Sequence, residues 1–165
     1  MEASRAETGG YLDTSRLTPG ELGGCISAVV LVLSMLLPWF GTSDSNPNST
    51  IGGATGGDSV NAFETFGRLD LLLVAAAAAP FILAWIVARG HKLTWKPGEV
   101  TMIVGITAFV LILCNGIILG RPGDSVDISL KIGYLVGLFA CLGMAASGFL
   151  RQSRYTEGRK PPGVI

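Results

Sequence analysis

Four long apolar runs alternate with polar segments along the chain. They lie at about residues 22–41, 69–88, 100–119 and 129–150. Each run is close to the length of about 20 residues that an α-helix needs to cross a hydrocarbon core of about 30 Å. Because a backbone in lipid must satisfy its own hydrogen bonds, we expect helices here and not strands. The pattern therefore predicts an all-α, polytopic four-helix transmembrane bundle made of two hairpins.

Two of the four runs begin with the same short motif. Thr18-Pro19-Gly20-Glu21 opens the first run, and Lys96-Pro97-Gly98-Glu99 opens the third. A threonine cap, a proline at the first helical position and a glutamate three residues after the cap are typical of a helix start. The recurrence favours an internal duplication of a helical hairpin, although a common interfacial helix start would leave the same trace.

The polar segments divide the chain into regions. Residues 1–17 are predicted to be a cytoplasmic N-terminal segment, 18–150 the transmembrane domain, and 151–165 a basic cytoplasmic tail. The loop at 42–60 consists mainly of Gly, Ser, Thr and Asn with two Asp, and such a composition predicts a mobile outer loop. The segment Asn61-Ala62-Phe63-Glu64 has the pattern of a capping box, which predicts a short amphipathic helix before the second span.

Composition supports a membrane location. The 165 residues are 49% hydrophobic and 15% charged, against about a quarter charged in an average soluble domain. The formal net charge is zero, so no bulk electrostatic argument indicates a nucleic acid. The predicted partner is the lipid bilayer, with a larger membrane complex or a homo-oligomer as further candidates.

The positions of lysine and arginine predict the orientation in the cell membrane. One side of the predicted bundle carries nine basic residues and the other three, which are Arg68, Arg121 and Lys131. The positive-inside rule then places both termini in the cytoplasm and the two polar loops outside. The first run could instead be a signal peptide, but it is long and its leader has little positive charge, which favours a span.

Residues that could carry chemistry are sparse. No ionisable residue falls at mid-depth in an apolar run, where transporters and proton relays place them. His91 lies alone in a basic turn, and the three cysteines all lie inside apolar runs, so no metal site or cofactor is predicted. No catalytic motif stands in the sequence, and we therefore expect a protein that is not an enzyme.

Six residues near the outer boundary form the one candidate site. We interpret them as an outward-facing polar cup that could hold a small ligand or a partner loop; they are Trp39, Phe63, Phe66, Asp70, Asn115 and Lys131. The competing interpretation is interfacial anchoring for the aromatic and charged members, with Asn115 serving as a hydrogen bond between helices.

Small residues recur along two predicted spans. Gly133, Gly137, Cys141 and Ala145 follow one another at four-residue spacing in the fourth span, and Gly116 and Gly120 repeat the pattern in the third. Such rows let helices approach closely. They indicate helix packing, and packing within the bundle is favoured over contact between protomers.

The order of these features resembles a known kind of protein. The shared features are the Pro-Gly-Glu start, Leu37-Pro38-Trp39-Phe40, the Gly/Ser-rich loop, Asn61-Ala62-Phe63-Glu64-Thr65-Phe66 followed by Asp70, and the Gly-rich last span. Together they resemble small four-span proteins of unknown function in high-GC Gram-positive bacteria, over about residues 17–150. The resemblance implies no activity. We predict a non-enzymatic accessory or scaffolding subunit, with a small-molecule transporter or sensor as the alternative.

Overall fold

The computed structural model describes residues 13–91, 96–119, 121–123 and 127–153. Most of this part of the chain is helical. In chain order its elements are a 3₁₀ turn at Thr14–Arg16, α1 at Pro19–Met35, β1 at Pro38–Gly41, β2 at Thr50–Ile51, β3 at Ala54–Thr55, β4 at Ser59–Asn61, α2 at Ala62–Thr65, α3 at Leu69–Ala88, α4 at Pro97–Leu113, a π-helical segment at Cys114–Ile118, β5 at Ser129–Leu130 and α5 at Ile132–Ser153.

Three helical segments of the described chain are long and apolar enough to cross a membrane. They are Leu69–Ala88, Gly98–Ile118 and Ile132–Ser153. Large apolar side chains on these helices, such as Leu71 and Phe139, are exposed, as expected of surfaces that face lipid. The fourth apolar helix, α1, has 17 residues and rises about 25 Å. The prediction of a membrane protein is therefore confirmed at the level of three membrane-length helices.

The end of the first predicted span is wrong. Helix α1 ends at Met35, and residues 38–41 form strand β1 instead of continuing the helix to Gly41. Pro38 cannot donate to a helical carbonyl and disfavours helical geometry in the residue before it. The last predicted span is also too long at its start, because Ser129 and Leu130 form β5. The fold is consequently not a pure helical bundle.

A three-stranded antiparallel sheet covers one end of the helices, which we name the sheet end. Strand β1 lies between β4 and β5, so that Phe40 pairs with Val60 on one side and with Leu130 on the other. A second small sheet pairs β2 with β3 inside the loop at 42–60, where Ile51 is buried. The sequence led us to expect no order in that loop.

Helix α5 packs along both α1 and α4, and glycines make these approaches close. A Cβ built on Gly23 would lie 2.7 Å from Ser147 Oγ, and one built on Gly143 would lie 2.6 Å from Ser27 Oγ. On the other side of α5, a Cβ on Gly105 would lie 2.6 Å from the backbone nitrogen of Ala145. Gly105 meets backbone, which cannot move aside, and it therefore sets the spacing of α4 and α5, whereas Gly23 and Gly143 meet serine hydroxyls in the contact of α1 with α5. Helix α3 completes the bundle against α1 and α4.

Candidate functional site

Four aromatic rings fill the bundle beneath the sheet. Trp39 meets Phe66 and Tyr134 edge to face, with ring centroids 5.9 and 5.7 Å apart, and Phe40 lies 5.7 Å from each of the same two rings. The register of β1 against β4 shifts between Pro38 and Phe40. Such a bulge reorients successive residues, which explains how Trp39 and its neighbour Phe40 can both be buried. We call these four residues the aromatic cluster.

Hydrogen bonds fix two members of the aromatic cluster. The indole nitrogen of Trp39 donates to the carbonyl of Ser34 at 2.7 Å, and the hydroxyl of Tyr134 donates to the carbonyl of Ile112 at 3.0 Å. Both donors are therefore satisfied without water. Trp39 is fully buried, whereas the sequence suggested an aromatic anchor at the headgroups. Strand β1 turns Trp39 back over the helices, so that its ring does not lie at the membrane–water interface.

Small residues on α5 and in the π-helical segment make room for these rings. A Cβ on Gly133 would lie 2.6 Å from Trp39 Cδ1, and one on Gly137 would lie 2.9 Å from Trp39 Cζ2. A Cβ on Gly116, in the π-helical segment, would overlap the ring of Tyr134.

The other residues of the two small-residue rows are Cys141, Ala145 and Gly120. Cys141 is fully buried, and Ala145 lies against Gly105 on α4. Gly120 lies outside the described residues. The described members of both rows therefore face other parts of the same chain.

The remaining members of the predicted cup are placed differently from one another. Phe63 is exposed on α2, whereas Asp70 is only 8% exposed in the first turn of α3 and its Oδ1 has no hydrogen-bond partner among the described residues. The amide of Asn115 donates to the carbonyl of Leu111 in its own helix at 2.9 Å. The side chain of Lys131 is exposed, and its Cε lies against Gly41 on β1.

Among the six cup residues, Trp39 and Phe66 are brought together, in a ring contact. The amide of Asn115 faces its own helix and not a neighbouring one, because a side chain at this position reaches the carbonyl four residues earlier. The local distortion of the helix into a π-helical segment begins at the preceding residue.

An open cleft at the sheet end was not foreseen from the sequence. Its volume is about 450 Å³, and of the six cup residues its lining includes Lys131. Hydroxyl groups and charges of both signs make up most of its wall, which is formed by Thr42, Ser43, Asp44, Ser45, Arg121, Asp127, Ile128, Ser129 and Lys131. We call this feature the polar cleft. It forms because β1 and β5 bring the residues that follow the first helix next to those that precede the last.

The opposite end of the bundle is held by a buried ion pair. Arg151 Nε on α5 pairs with Glu21 Oε1 on α1, and their side chains are 17% and 6% exposed. Glu21 Oε2 also accepts a hydrogen bond from the backbone nitrogen of Thr18 at 2.6 Å, and one from its hydroxyl. The predicted capping box at this helix start is confirmed, and so is the one at Asn61 and Glu64. We name this the motif end.

Within the described part of the chain, no group of three or more His, Cys, Asp or Glu side chains could hold a metal ion. The three cysteines are free thiols. Comparison of the chain with protein-family models, with curated proteins and with solved structures found no match.

Proposed function

We propose that this chain is a non-enzymatic accessory or scaffolding protein of the cell membrane. In the proposed topology α1 is the fourth span, both termini are cytoplasmic and the sheet end faces outward. The 17 residues of α1 reach the lower end of the range of about 17–25 residues that spans a bilayer. The basic residues Arg16, Arg89 and Arg151 all lie at the motif end, which supports a cytoplasmic position for it.

The duplication is part of this proposal and has geometric support. Gly20 and Gly98 occupy the same place in the two Pro-Gly-Glu motifs, and a Cβ on either would lie 2.8 or 2.9 Å from Arg151 Cβ. At the sheet end, Ser59 and Ser129 precede α3 and α5, and both pair with Gly41. Equivalent segments of two hairpins would meet α5 and β1 in this way.

The functional proposal rests on the buried aromatic residues at the sheet end. Trp39, Phe40 and Tyr134 are fully buried between the helices, where a transport path would need hydrated polar groups. Such a core supports a rigid protein that acts through its surfaces. The exposed ring of Phe63 lies outside the bundle on α2, and it offers an apolar contact of the type that anchors protein partners.

Purification from membranes in mild detergent tests this proposal. We expect the full-length chain to recover a second membrane protein in fixed stoichiometry, identified by crosslinking and mass spectrometry. Phe63→Ala should reduce that recovery, whereas Phe139→Ala should not, although Phe139 on the lipid-facing side of α5 is 71% exposed and Phe63 only 43%. Recovery of the chain alone, with equal behaviour of both variants, would refute the scaffold function.

The proposed topology is tested by cysteine labelling in a chain whose native cysteines are replaced. Ser45 is exposed at the sheet end and His91 is exposed near the motif end, so both positions suit a labelled cysteine. Ser49 does not, because it is fully buried. We expect a membrane-impermeant maleimide added to intact cells to label Ser45→Cys and to leave His91→Cys unlabelled. The reverse pattern would refute the orientation.

A small-molecule sensor or transporter is the second candidate function. The polar cleft favours it, because Lys131, one of the six cup residues, lines this open polar surface directly before α5. The unpartnered oxygen of Asp70 also favours it, since a buried carboxylate oxygen is a ready acceptor for a ligand. A melting temperature of the purified chain that rises with a solute would support this candidate.

A further inference from the structure

Charges of opposite sign face the same cleft without pairing. Arg121 and Lys131 are basic, Asp44 and Asp127 are acidic, and all four line the polar cleft. The structure gives ion pairs between Arg16 and Asp13 and between Arg151 and Glu21, and neither involves the cleft. The four cleft charges are therefore held apart from one another, and each can interact with a ligand.

The backbone beneath these charges is fixed. The backbone nitrogen of Lys131 donates to the carbonyl of Trp39 at 2.8 Å, and the guanidinium of Arg121 donates to the carbonyl of Ile128. The Thr42 hydroxyl lies 3.1 Å from the Asp58 carbonyl and accepts from the Asp58 backbone nitrogen at 2.9 Å. A framework held in this way reduces the entropy that binding would otherwise cost.

The size and position of the cleft indicate what it can hold. A volume of about 450 Å³ falls in the range of small-molecule sites. Lys131 directly precedes α5, and the next residue, Ile132, exposes its side chain on the lipid-facing surface of that helix. The cleft therefore lies where the hydrocarbon-facing surface ends, at the depth of lipid headgroups.

We propose that the polar cleft binds a zwitterionic phosphoethanolamine group. Lys131 and Arg121 would bind the phosphate, and Asp44 and Asp127 would bind the ammonium, so that each charge of the ligand meets an opposite charge. The serine and threonine hydroxyls along the wall supply further hydrogen bonds. This inference does not depend on the scaffold function. The same chemistry is offered by a phosphatidylethanolamine headgroup and by free glycerophosphoethanolamine.

The test measures binding of both sources to the full-length chain. Native mass spectrometry of protein released from nanodiscs compares retention of phosphatidylethanolamine with that of phosphatidylglycerol, and calorimetry measures glycerophosphoethanolamine in detergent. One variant combines Lys131→Gln with Arg121→Gln, and a second combines Asp44→Asn with Asp127→Asn. The matched control combines Arg68→Gln with Asp58→Asn, two exposed charges whose side chains do not line the cleft. Circular dichroism and melting temperature verify folding, and single substitutions replace any pair that fails to fold.

We expect each cleft variant to weaken binding by about tenfold, and the control to leave it unchanged. Selective retention of phosphatidylethanolamine that both cleft variants reduce identifies the lipid as the source. Binding of glycerophosphoethanolamine alone, reduced in the same way, identifies a free solute. Equal retention of phosphatidylglycerol, or loss of binding in the basic variant but not in the acidic one, would overturn the zwitterion. A control variant that binds as weakly as the cleft variants would overturn the site.

Discussion

Gly148 marks the tightest described approach between α4 and α5, and its replacement by alanine should destabilise the bundle. A Cβ at this position would lie 2.5 Å from the carbonyl oxygen of Gly98 and 2.9 Å from Met102 Cα, and it would overlap the Met102 backbone nitrogen. These atoms belong to backbone and cannot rotate away, so the helices must separate. Overpacking costs up to about 3 kcal/mol, and the better helix propensity of alanine returns about 1 kcal/mol. We expect a net loss of about 2 kcal/mol.

Two other glycines provide matched controls for Gly148→Ala. Gly24 in α1 has its nearest described neighbour, Thr101 Cγ2, at 3.3 Å from a built Cβ, and Gly67 has no neighbour within 4 Å. Gly24→Ala should therefore cost much less than Gly148→Ala, because its nearest neighbour is a side-chain methyl that has to move by only a few tenths of an ångström, and Gly67→Ala should be neutral. Denaturant unfolding in detergent micelles measures all three. Equal stability of Gly148→Ala and Gly24→Ala would refute the close packing of α4 on α5.

Three further perturbations test other contacts. Glu21→Gln should cost about 3 kcal/mol because it breaks a buried ion pair with α5, whereas Glu99→Gln, at the matching motif position, should change unfolding stability by less than about 0.5 kcal/mol. Tyr134→Phe should cost about 1 kcal/mol, since its hydroxyl bonds a carbonyl of α4, and unfolding of this variant in the same micelles checks the value. The pKa of Asp13 is lowered from 3.8, mainly because the hydroxyl of Ser15 donates a hydrogen bond to its carboxylate. The contacts of the Asp13 carboxylate therefore stabilise the fold above about pH 3.8, and this stabilisation is lost as the pH falls further. An NMR titration of the Asp13 carboxyl group can follow the change.

Features that depend on local sequence could be predicted well. The starts of α1 and α4 follow from Pro-Gly-Glu, and the start of α2 follows from Asn61 and Glu64. These signals are reliable because a cap forms within four residues and needs nothing from the rest of the chain. The length of α3 is equally predictable, since an apolar run in lipid has few alternatives to a helix.

Strand β1 could not be predicted, because what makes it a strand lies far away in the sequence. Leu36-Leu37-Pro38-Trp39-Phe40 is apolar throughout, and hydropathy does not distinguish it from the end of a helix. Its partners are Ser59–Asn61 and Ser129–Leu130, and the second of these comes after α4. The sequence does contain a weak signal for the two partner strands. Ser59-Val60 precedes α3 and Ser129-Leu130 precedes α5, so a serine followed by a large apolar residue comes before the second helix of each hairpin.

The polar cleft was missed for the same reason. Its walls come from 42–45, 121 and 127–131, and these segments meet because β5 pairs with β1. The cup predicted from depth alone combined residues such as Trp39, which the sheet buries, with Lys131, which the sheet leaves exposed. Depth along a helix gives the level of a residue in the membrane, but the direction in which it faces depends on how the irregular segments fold.

The two Pro-Gly-Glu motifs show how one local pattern can serve two tertiary purposes. Both glycines allow the same end of α5 to approach closely, because the Cβ of Arg151 lies next to each of them. The first glutamate, Glu21, forms an ion pair with that same arginine. Helix α1 has only 17 residues, and β1 continues the chain at its sheet end. The buried ion pair of Glu21 with Arg151 fixes the other end of α1 against α5. The glycine of the motif thus sets the helix spacing, and the glutamate fixes which helix is bound.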